Sequence, residues 1–265
     1  GITFPNVQKR WQVKPSVAPM LMVSASLKES KIAAAVVELR HNGEHAEIIS
    51  LYVAPEHRQL GIGARLVNLC EGTLARKSEC RVMEIRYRSD WEDSAMLEKI
   101  LGEQGWLPPK VQRILARSNT DLLAQAPWMA PRDVGDGLAV FPWPELTDEE
   151  RQQILERKGN ENSYPETANP FLEEDRIDPH SSVGLRKDGV VVGWMVNHIS
   201  TPDTLQYSSL FIDPALRGQQ LGLFLISEAV RRQQAVQISN MIWMIDAQNS
   251  VMRDLMEKHL RQWTV

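Results

Sequence analysis

The chain is short of several things, and each shortage excludes a class of protein. It has two cysteines, Cys70 and Cys80, in 265 residues. That is too few for a disulfide framework and fits a reducing compartment, with both thiols in stretches that read as core. No apolar run reaches the roughly 18–20 residues of a membrane-spanning helix. The first residues, with Pro5, Lys9 and Arg10, lack the apolar centre of a secretory leader. Positive charge is not in excess: 30 Lys and Arg stand against 34 Asp and Glu, for a net charge of −4. The pI is about 5.9, which argues against general nucleic-acid binding through a basic face. No metal-ligand cluster and no Ser-His-Asp or Cys-His arrangement stands out. A cytoplasmic protein without nucleic-acid or membrane partners is expected. The rest is ordinary globular composition, 43% apolar and 24% charged, enough for one large domain or two small ones.

One stretch occurs twice. Leu51 to Val67 contains an apolar strand end, Pro55, a basic glycine loop and an immediate helix start. Leu210 to Ile226 repeats it 159 positions later, so that Ser50, Pro55, Arg58, Gly63 and Leu66 face Ser209, Pro214, Arg217, Gly222 and Leu225. The same offset lays Ile32–Leu39 on Val191–His198 and Val82–Tyr87 on Met241–Asp246. Each half then reads strand, strand, glycine loop, helix, strand, helix, an internal repeat of a fold core. Asn42-Gly43 marks a hairpin. Leu66, Leu69, Cys70 and Leu74 share one face of the first helix. Thr147 with Glu150 has capping-box spacing. Residues 119–137 form a polar connector rich in Pro, Gly and Asp. The boundaries expected are 1–118 and 138–265, each of mixed α/β class.

A strand that runs through a glycine loop into a helix builds an anion site. Backbone N–H groups at the helix N-terminus converge on phosphate, and glycine lets the phosphate approach. There is no Gly-Lys-Ser/Thr, so this is not a P-loop. Gly61-Ile-Gly63 lacks the third glycine of a dinucleotide fingerprint and the acidic residue that should follow it.

Both halves resemble the GNAT superfamily of acyl-CoA-dependent N-acyltransferases, whose signature is Q/R-x-x-G-x-G/A after the fourth strand. Arg58-Gln-Leu-Gly61-Ile-Gly63 fits it. Arg217-Gly-Gln-Gln220-Leu-Gly222 fits except that Gln220 replaces the first glycine. The resemblance spans about residues 20–118 and 138–263 and implies acetyl-CoA or another acyl-CoA as cofactor. Carried onto this chain, it places the pyrophosphate on Arg58, Gln59, Leu60, Gly61, Ile62, Gly63 and Ala64. In the second half it points to Arg217, Gly218, Gln219, Gln220, Leu221, Gly222 and Leu223. Pantetheine would pair with the strand backbone at Tyr52 and Val53, or at Phe211 and Ile212, in a gap opened by a bulge. The implied activity is transfer of an acetyl group to a primary amine of a small molecule or protein.

For chemistry, Glu47 lies where one branch of that superfamily has its general base; the plainer reading is a solvated strand glutamate. Its counterpart is Gln206, with Tyr207, Ser208 and Ser209 nearby. The tyrosine that often protonates the leaving thiolate is replaced by Leu101 and by Met256. Asn249 is either a cofactor contact or a helix N-cap, and Tyr87 is a substitute acid. The family's first helices are present within Thr147–Pro179 and missing from the first half. The strand Val111–Ala116 closes the first half and has no counterpart in the second. The second half's bare sheet edge should therefore be covered by the arm near Val7–Val13 or by a partner chain, and a homodimer is allowed for. The alternative to an enzyme is a CoA-binding sensor or scaffold with degenerate catalysis.

Overall fold

The computed structural model describes residues 19–77, 79–132, 134–157 and 164–265. It divides into two compact units, the first ending at Lys110 and the second beginning at Val111.

In the first unit β1 (Met20–Leu27), β2 (Ser30–Arg40), β3 (His45–Val53) and β4 (Val82–Ile85) form a four-stranded sheet in sequence order. The first three strands are antiparallel neighbours, and β4 lies parallel to β3. Between β3 and β4 the chain makes helix α1 (Ile62–Lys77), and after β4 comes α2 (Ser94–Glu103). Alternate residues of β2, Ala33, Ala35 and Val37, join Ala46 and Ile48 of β3 in the core that α1 covers. Helix α1 contributes Leu66, Val67, Cys70 and Leu74 to this core, whereas Leu69 is 52% exposed. The true stripe follows the i, i+1, i+4, i+8 pattern from Leu66, which puts Leu69 a full turn-third away from it. Burial raises the Cys70 thiol to about 11, so it is an inert packing group.

In the second unit the strands are β5 (Arg113–Asn119), β6 (Leu138–Pro142), β7 (Val183–Lys187), β8 (Val190–Thr201), β9 (Thr204–Ile212) and β10 (Asn240–Asp246). Their order in the sheet is β5-β10-β9-β8-β7-β6. The helices are α3 (Thr120–Leu123), α4 (Asp148–Glu156), α5 (Leu221–Ala235) and α6 (Ser250–Leu255), the last continuing as a π-turn over Met256–Leu260. Helix α5 packs on one face with Leu221, Leu225, Ile226 and Val230 in the main core. On the other face Phe141, Trp143, Tyr164, Trp194 and Phe211 form an aromatic core with Ile154 of α4. Trp194 and Phe211 are stacked 4.5 Å apart. Thr147 and Glu150 form the capping box expected of them, and Glu150 also takes two bonds from Arg186, whose guanidinium lies 3.5 Å over the Phe141 ring.

One strand is not where the sequence suggested. Arg113–Asn119 closes the second sheet, not the first: it pairs antiparallel with β10, Ala116 opposite Trp243. The expected cover for that edge therefore needs revision. Residues 7–13 lie outside the described residues, and β5 of the same chain occupies the edge. The outer side of β5 is tied in turn by the Val265 N–H to the Arg117 carbonyl (2.9 Å) and by the Ser118 hydroxyl to the Trp263 carbonyl (2.5 Å). The strand alternates Ala116 and Ser118 inward with Leu115 outward, so at this edge one face is covered and the other meets solvent.

Candidate active site

The site is built twice from one backbone device. In β3, Val36 faces Ser50 and Val37 faces Ile48, so Ile49 is left over as a bulge. In β9, Val196 faces Ser209 and Asn197 faces Tyr207, so Ser208 is left over. These bulges stand at the same offset of 159 as the glycine loops. Past each bulge the parallel neighbour departs. Pairing of β3 with β4 runs from His45/Val82 to Ile48/Ile85 and stops. Pairing of β9 with β10 runs from Thr204/Asn240 to Tyr207/Trp243 and stops. Ser50–Val53 and Ser209–Ile212 thus continue alone on that side, each offering an unpaired strand edge to an extended ligand.

The uniform offset breaks on either side of this device. Ala33 opposes Val53 and Gly193 opposes Ile212, so β2 maps onto β8 with an offset of 160. Val82 opposes His45 and Asn240 opposes Thr204, so β4 maps onto β10 with 158. A one-residue slip exchanges the faces of a strand; the alignment Ile32–Leu39 on Val191–His198 therefore matched the wrong faces.

Each strand end leads to its loop and helix. The loops share a backbone but not a sequence. Gln59 and Gly61 have φ of 62° and 73°, and Gly218 and Gln220 have φ of 82° and 57°. Two left-handed positions are needed in each loop, and glycine and glutamine exchange places between them. Left-handed backbone costs a non-glycine residue about 1 kcal/mol, so each loop carries one such cost. The first intrahelical bonds run from Arg65 N–H to the Gly61 carbonyl and from Phe224 N–H to the Gln220 carbonyl, both 3.1 Å. The preceding N–H groups, of Ile62, Gly63 and Ala64 and of Leu221, Gly222 and Leu223, have no helical partner and face the anion position. A Cβ at Gly61 or Gly218 would meet nothing within 4 Å. Both loops are thus open to solvent beside the unpartnered N–H groups of a helix N-terminus, a donor set that fits the pyrophosphate of coenzyme A.

The two signature arginines also tie their loops down. Arg58 Nε donates to the Val53 carbonyl (3.2 Å) and its guanidinium pairs with Asp93 at 3.3 Å. Arg217 Nε lies 3.4 Å from the Ile212 carbonyl. Both tie the loop to the end of its own strand, setting where the helix begins relative to the open edge. Gln59, Leu60 and Gln219 are exposed, whereas Leu221 and Leu223 are buried against the core through their side chains and contribute N–H groups alone. Tyr52, Val53 and Ile212 are half-buried and Phe211 is buried in the aromatic core, so its backbone is the part left for a ligand.

In the second unit the parting of β9 and β10 holds a cavity of about 40 Å³, lined by Met195, Tyr207, Ser208, Leu210, Trp243 and Met252 among others. Its lining side chains are apolar apart from the Tyr207 and Ser208 hydroxyls and the Trp243 indole N–H, which is buried without a hydrogen-bond partner among the described residues. The Tyr207 hydroxyl donates to Gln233 Oε1 (2.8 Å), and burial holds its proton far above the ordinary phenol range. Ser209 faces the other way, donating to the Ala168 carbonyl (2.7 Å) and accepting from Trp194 Nε1. Asn249 accepts from the Met252 N–H (3.0 Å) as the N-cap of α6.

Glu47 is buried, 8% exposed, on the face of β3 opposite α1. Cross-strand it stands between Glu38 and Glu84. Arg40 reaches its carboxylate at 2.7 Å and Arg86 at 3.9 Å, while Arg40 also grips Glu38 and Arg86 grips Glu84. Three carboxylates share two guanidinium groups, an arrangement more like a structural charge ladder than a free base. Tyr87 donates to Glu98 (2.9 Å) and is raised to about 12 by burial and by that bond. Leu101 and Met256 are both core residues, 7% and 5% exposed. Among the described residues no group of three or more His, Cys, Asp or Glu is arranged to hold a metal, and no helix is long and apolar enough to cross a membrane.

Sequence reasoning missed Arg132. It comes from the connector, and its guanidinium donates to the Gln220 carbonyl (2.6 Å) and to Gln220 Oε1 (3.2 Å). Nothing in the repeat announces it, because the first half has no equivalent connector.

Comparison with known proteins agrees with this geometry. The model of the acetyltransferase (GNAT) family matches residues 5–101 and again 143–260. Among solved structures, a tandem GNAT protein from the clavulanic acid biosynthesis pathway is similar with a TM-score of 0.62 at 13% identity, over 94% of this chain and 81% of that one. A GCN5-related N-acetyltransferase from Sphaerobacter thermophilus gives 0.61 at 19% identity, over 92% and 77%. At such identities the likeness is one of fold. No curated protein sequence matches.

Proposed function

Because the chain belongs to the acetyltransferase (GNAT) family, with the domain present twice, we propose that it transfers an acetyl group from acetyl-CoA to a primary amine of a small molecule or protein. We assign the working cofactor site to the second half. The observation that carries this is the parting of β9 and β10 beyond Tyr207 and Trp243, over a cavity lined by Ser208 and Leu210 of β9 and Ile226 of α5, on the strand that leads to the glycine loop. Bound acetyl-CoA supplies the thioester that an amine attacks directly, so no enzyme nucleophile is required. The N–H groups of Leu221, Gly222 and Leu223 hold the pyrophosphate, and the open edge of Ser209–Ile212 aligns pantetheine. Backbone N–H groups of that edge are also the donors available to a developing oxyanion. Among the described residues no carboxylate or imidazole lines the slot. The amine therefore attacks in its neutral form, the proton it sheds as the N–C bond forms and the C–S bond breaks passes to water, and the leaving CoA thiolate takes a proton from water; Ser208 is the slot-lining hydroxyl outside the main core. Glu47 remains the candidate base only for a reaction in the first half, where it must leave Arg40 to act.

A second reading is a CoA-binding sensor or scaffold. It is favoured by the burial of Leu101 and Met256 at the positions where the family places its acid. Two measurements separate the readings. Release of free thiol from acetyl-CoA with a panel of amines supports the enzyme, and tight CoA binding without turnover supports the scaffold. Replacing Gly222 with Trp should abolish acetyl-CoA binding to the second half, and the pair Gly61→Trp, Gly63→Trp should abolish it in the first. If neither weakens binding, the loop assignment is wrong.

A further inference from the structure

The second loop departs from the first at one left-handed position. Gly61 holds that conformation in the first loop with φ 73°, and Gln220 holds it in the second with φ 57°. A glutamine resists left-handed backbone through its Cβ, and Gln220, unlike Gln59, stands at the N-cap of the helix, where a shift of its backbone would re-aim the N–H groups beyond. The connector holds it in place. Arg132 Nη2 donates to the Gln220 carbonyl at 2.6 Å, the same carbonyl that accepts the Phe224 N–H at 3.1 Å. Arg132 Nη1 donates to Gln220 Oε1 at 3.2 Å, and the guanidinium carbon lies 5.6 Å from the centre of the Phe224 ring in the first turn of α5. One planar fork therefore fixes the backbone, side chain and following helical turn of the one residue that breaks the glycine pattern.

We propose that Arg132 is a positioning residue for the second phosphate loop: it holds Gln220 in the conformation that glycine takes in the first loop, and so keeps the N–H groups of Leu221–Leu223 directed at a pyrophosphate. This rests on the cofactor reading above and adds a part to it. The role predicts a dependence on the pyrophosphate alone, since pantetheine lies along the strand and does not touch the loop.

The test is isothermal titration of the full chain with CoA and with pantetheine. R132A should weaken CoA about tenfold and leave pantetheine unchanged. R132K keeps the charge but loses the fork, and should behave like R132A. Adding Q220G to R132A should restore CoA affinity to within about threefold, which also shows that R132A had not simply unfolded the unit. Unchanged CoA affinity in R132A, full affinity in R132K, or a double variant no better than R132A would each overturn the role. Wild-type protein that fails to bind CoA at all would instead overturn the cofactor reading, and this role with it.

Discussion

Tyr207 and Trp243 are the last opposed pair of β9 and β10, their rings 5.3 Å apart. Beyond them the strands part, so these two rings form the closed end of the slot. Trp243 is 3% exposed, and in the first unit the matching closed end is Ile48 with Ile85. Trp243→Ala should lengthen the slot and let it accept propionyl and butyryl groups in place of acetyl alone. It should also cost about 3–5 kcal/mol of stability in the second unit. A chain-length series of acyl-CoAs in a thiol-release assay checks the first, and a denaturant melt the second. An unaltered preference for acetyl would show that the closed end lies elsewhere.

The amide of Ser118 belongs to a strand that opposes β10, with Ser118 facing Met241. Ser118→Pro removes a ladder donor and should destabilise the second sheet by about 3 kcal/mol. Amide exchange should quicken along 240–246, while residues 33–37 of the first sheet keep their protection. Equal loss in both sheets would contradict the assignment of this strand to the second unit.

Glu150 is held below the ordinary carboxylate range, first by Arg186 and then, against the cost of burial, by the Thr147 cap. A lowered folded value means that its contribution is complete above the unfolded value of about 4.3 and is lost as pH falls below it. Glu150→Gln should therefore lower stability at pH 7 by about 1–3 kcal/mol, with the difference from wild type shrinking as pH falls from 5 towards 2. Thermal melts across that range read it directly. A difference that grows on acidification would have the wrong sign.

With no base lining the slot, the neutral fraction of the acceptor should control the rate. For a simple alkylamine, kcat/KM should climb about tenfold per pH unit between about pH 6 and 9. A plateau beginning near neutrality would instead reveal a protein base absent from the second slot.

Much of this was legible in the residues because the loops repeat as backbone requirements as well as letters. Pro55 and Pro214, Arg58 and Arg217, Gly63 and Gly222 each mark the same turn in the same place. The capping box at Thr147 was equally local and equally readable. What escaped was non-local. In the letters Gln220 is a departure from the signature's first glycine, whereas the backbone shows glutamine and glycine trading two left-handed positions, a point visible only in φ. Register slips of one residue on either side of β3 and β9 could not be seen, because a strand of Val, Ile and Ala matches itself at adjacent offsets. Strand β5 was recognised as a strand but given the wrong neighbour. Its sequence specifies an alternating face, and only the pairing of Ala116 with Trp243 specifies which sheet receives it. Arg132 reaches 88 residues along the chain to Gln220, a distance at which no local pattern operates.

The position of β5 also fixes an order of events. The strand emerges in synthesis long before β10, and so does β9 on the other side of the gap. When β10 is made, both of its neighbours already exist, one antiparallel and one parallel. It must enter between them as the final rung, making contacts of long sequence separation on both edges at once, the slow kind of step in sheet formation. Until then the second sheet is two pieces and its slot has one wall. Cofactor competence should therefore appear last during synthesis, together with protection of the β10 amides and after the hairpin of β8 and β9 has formed.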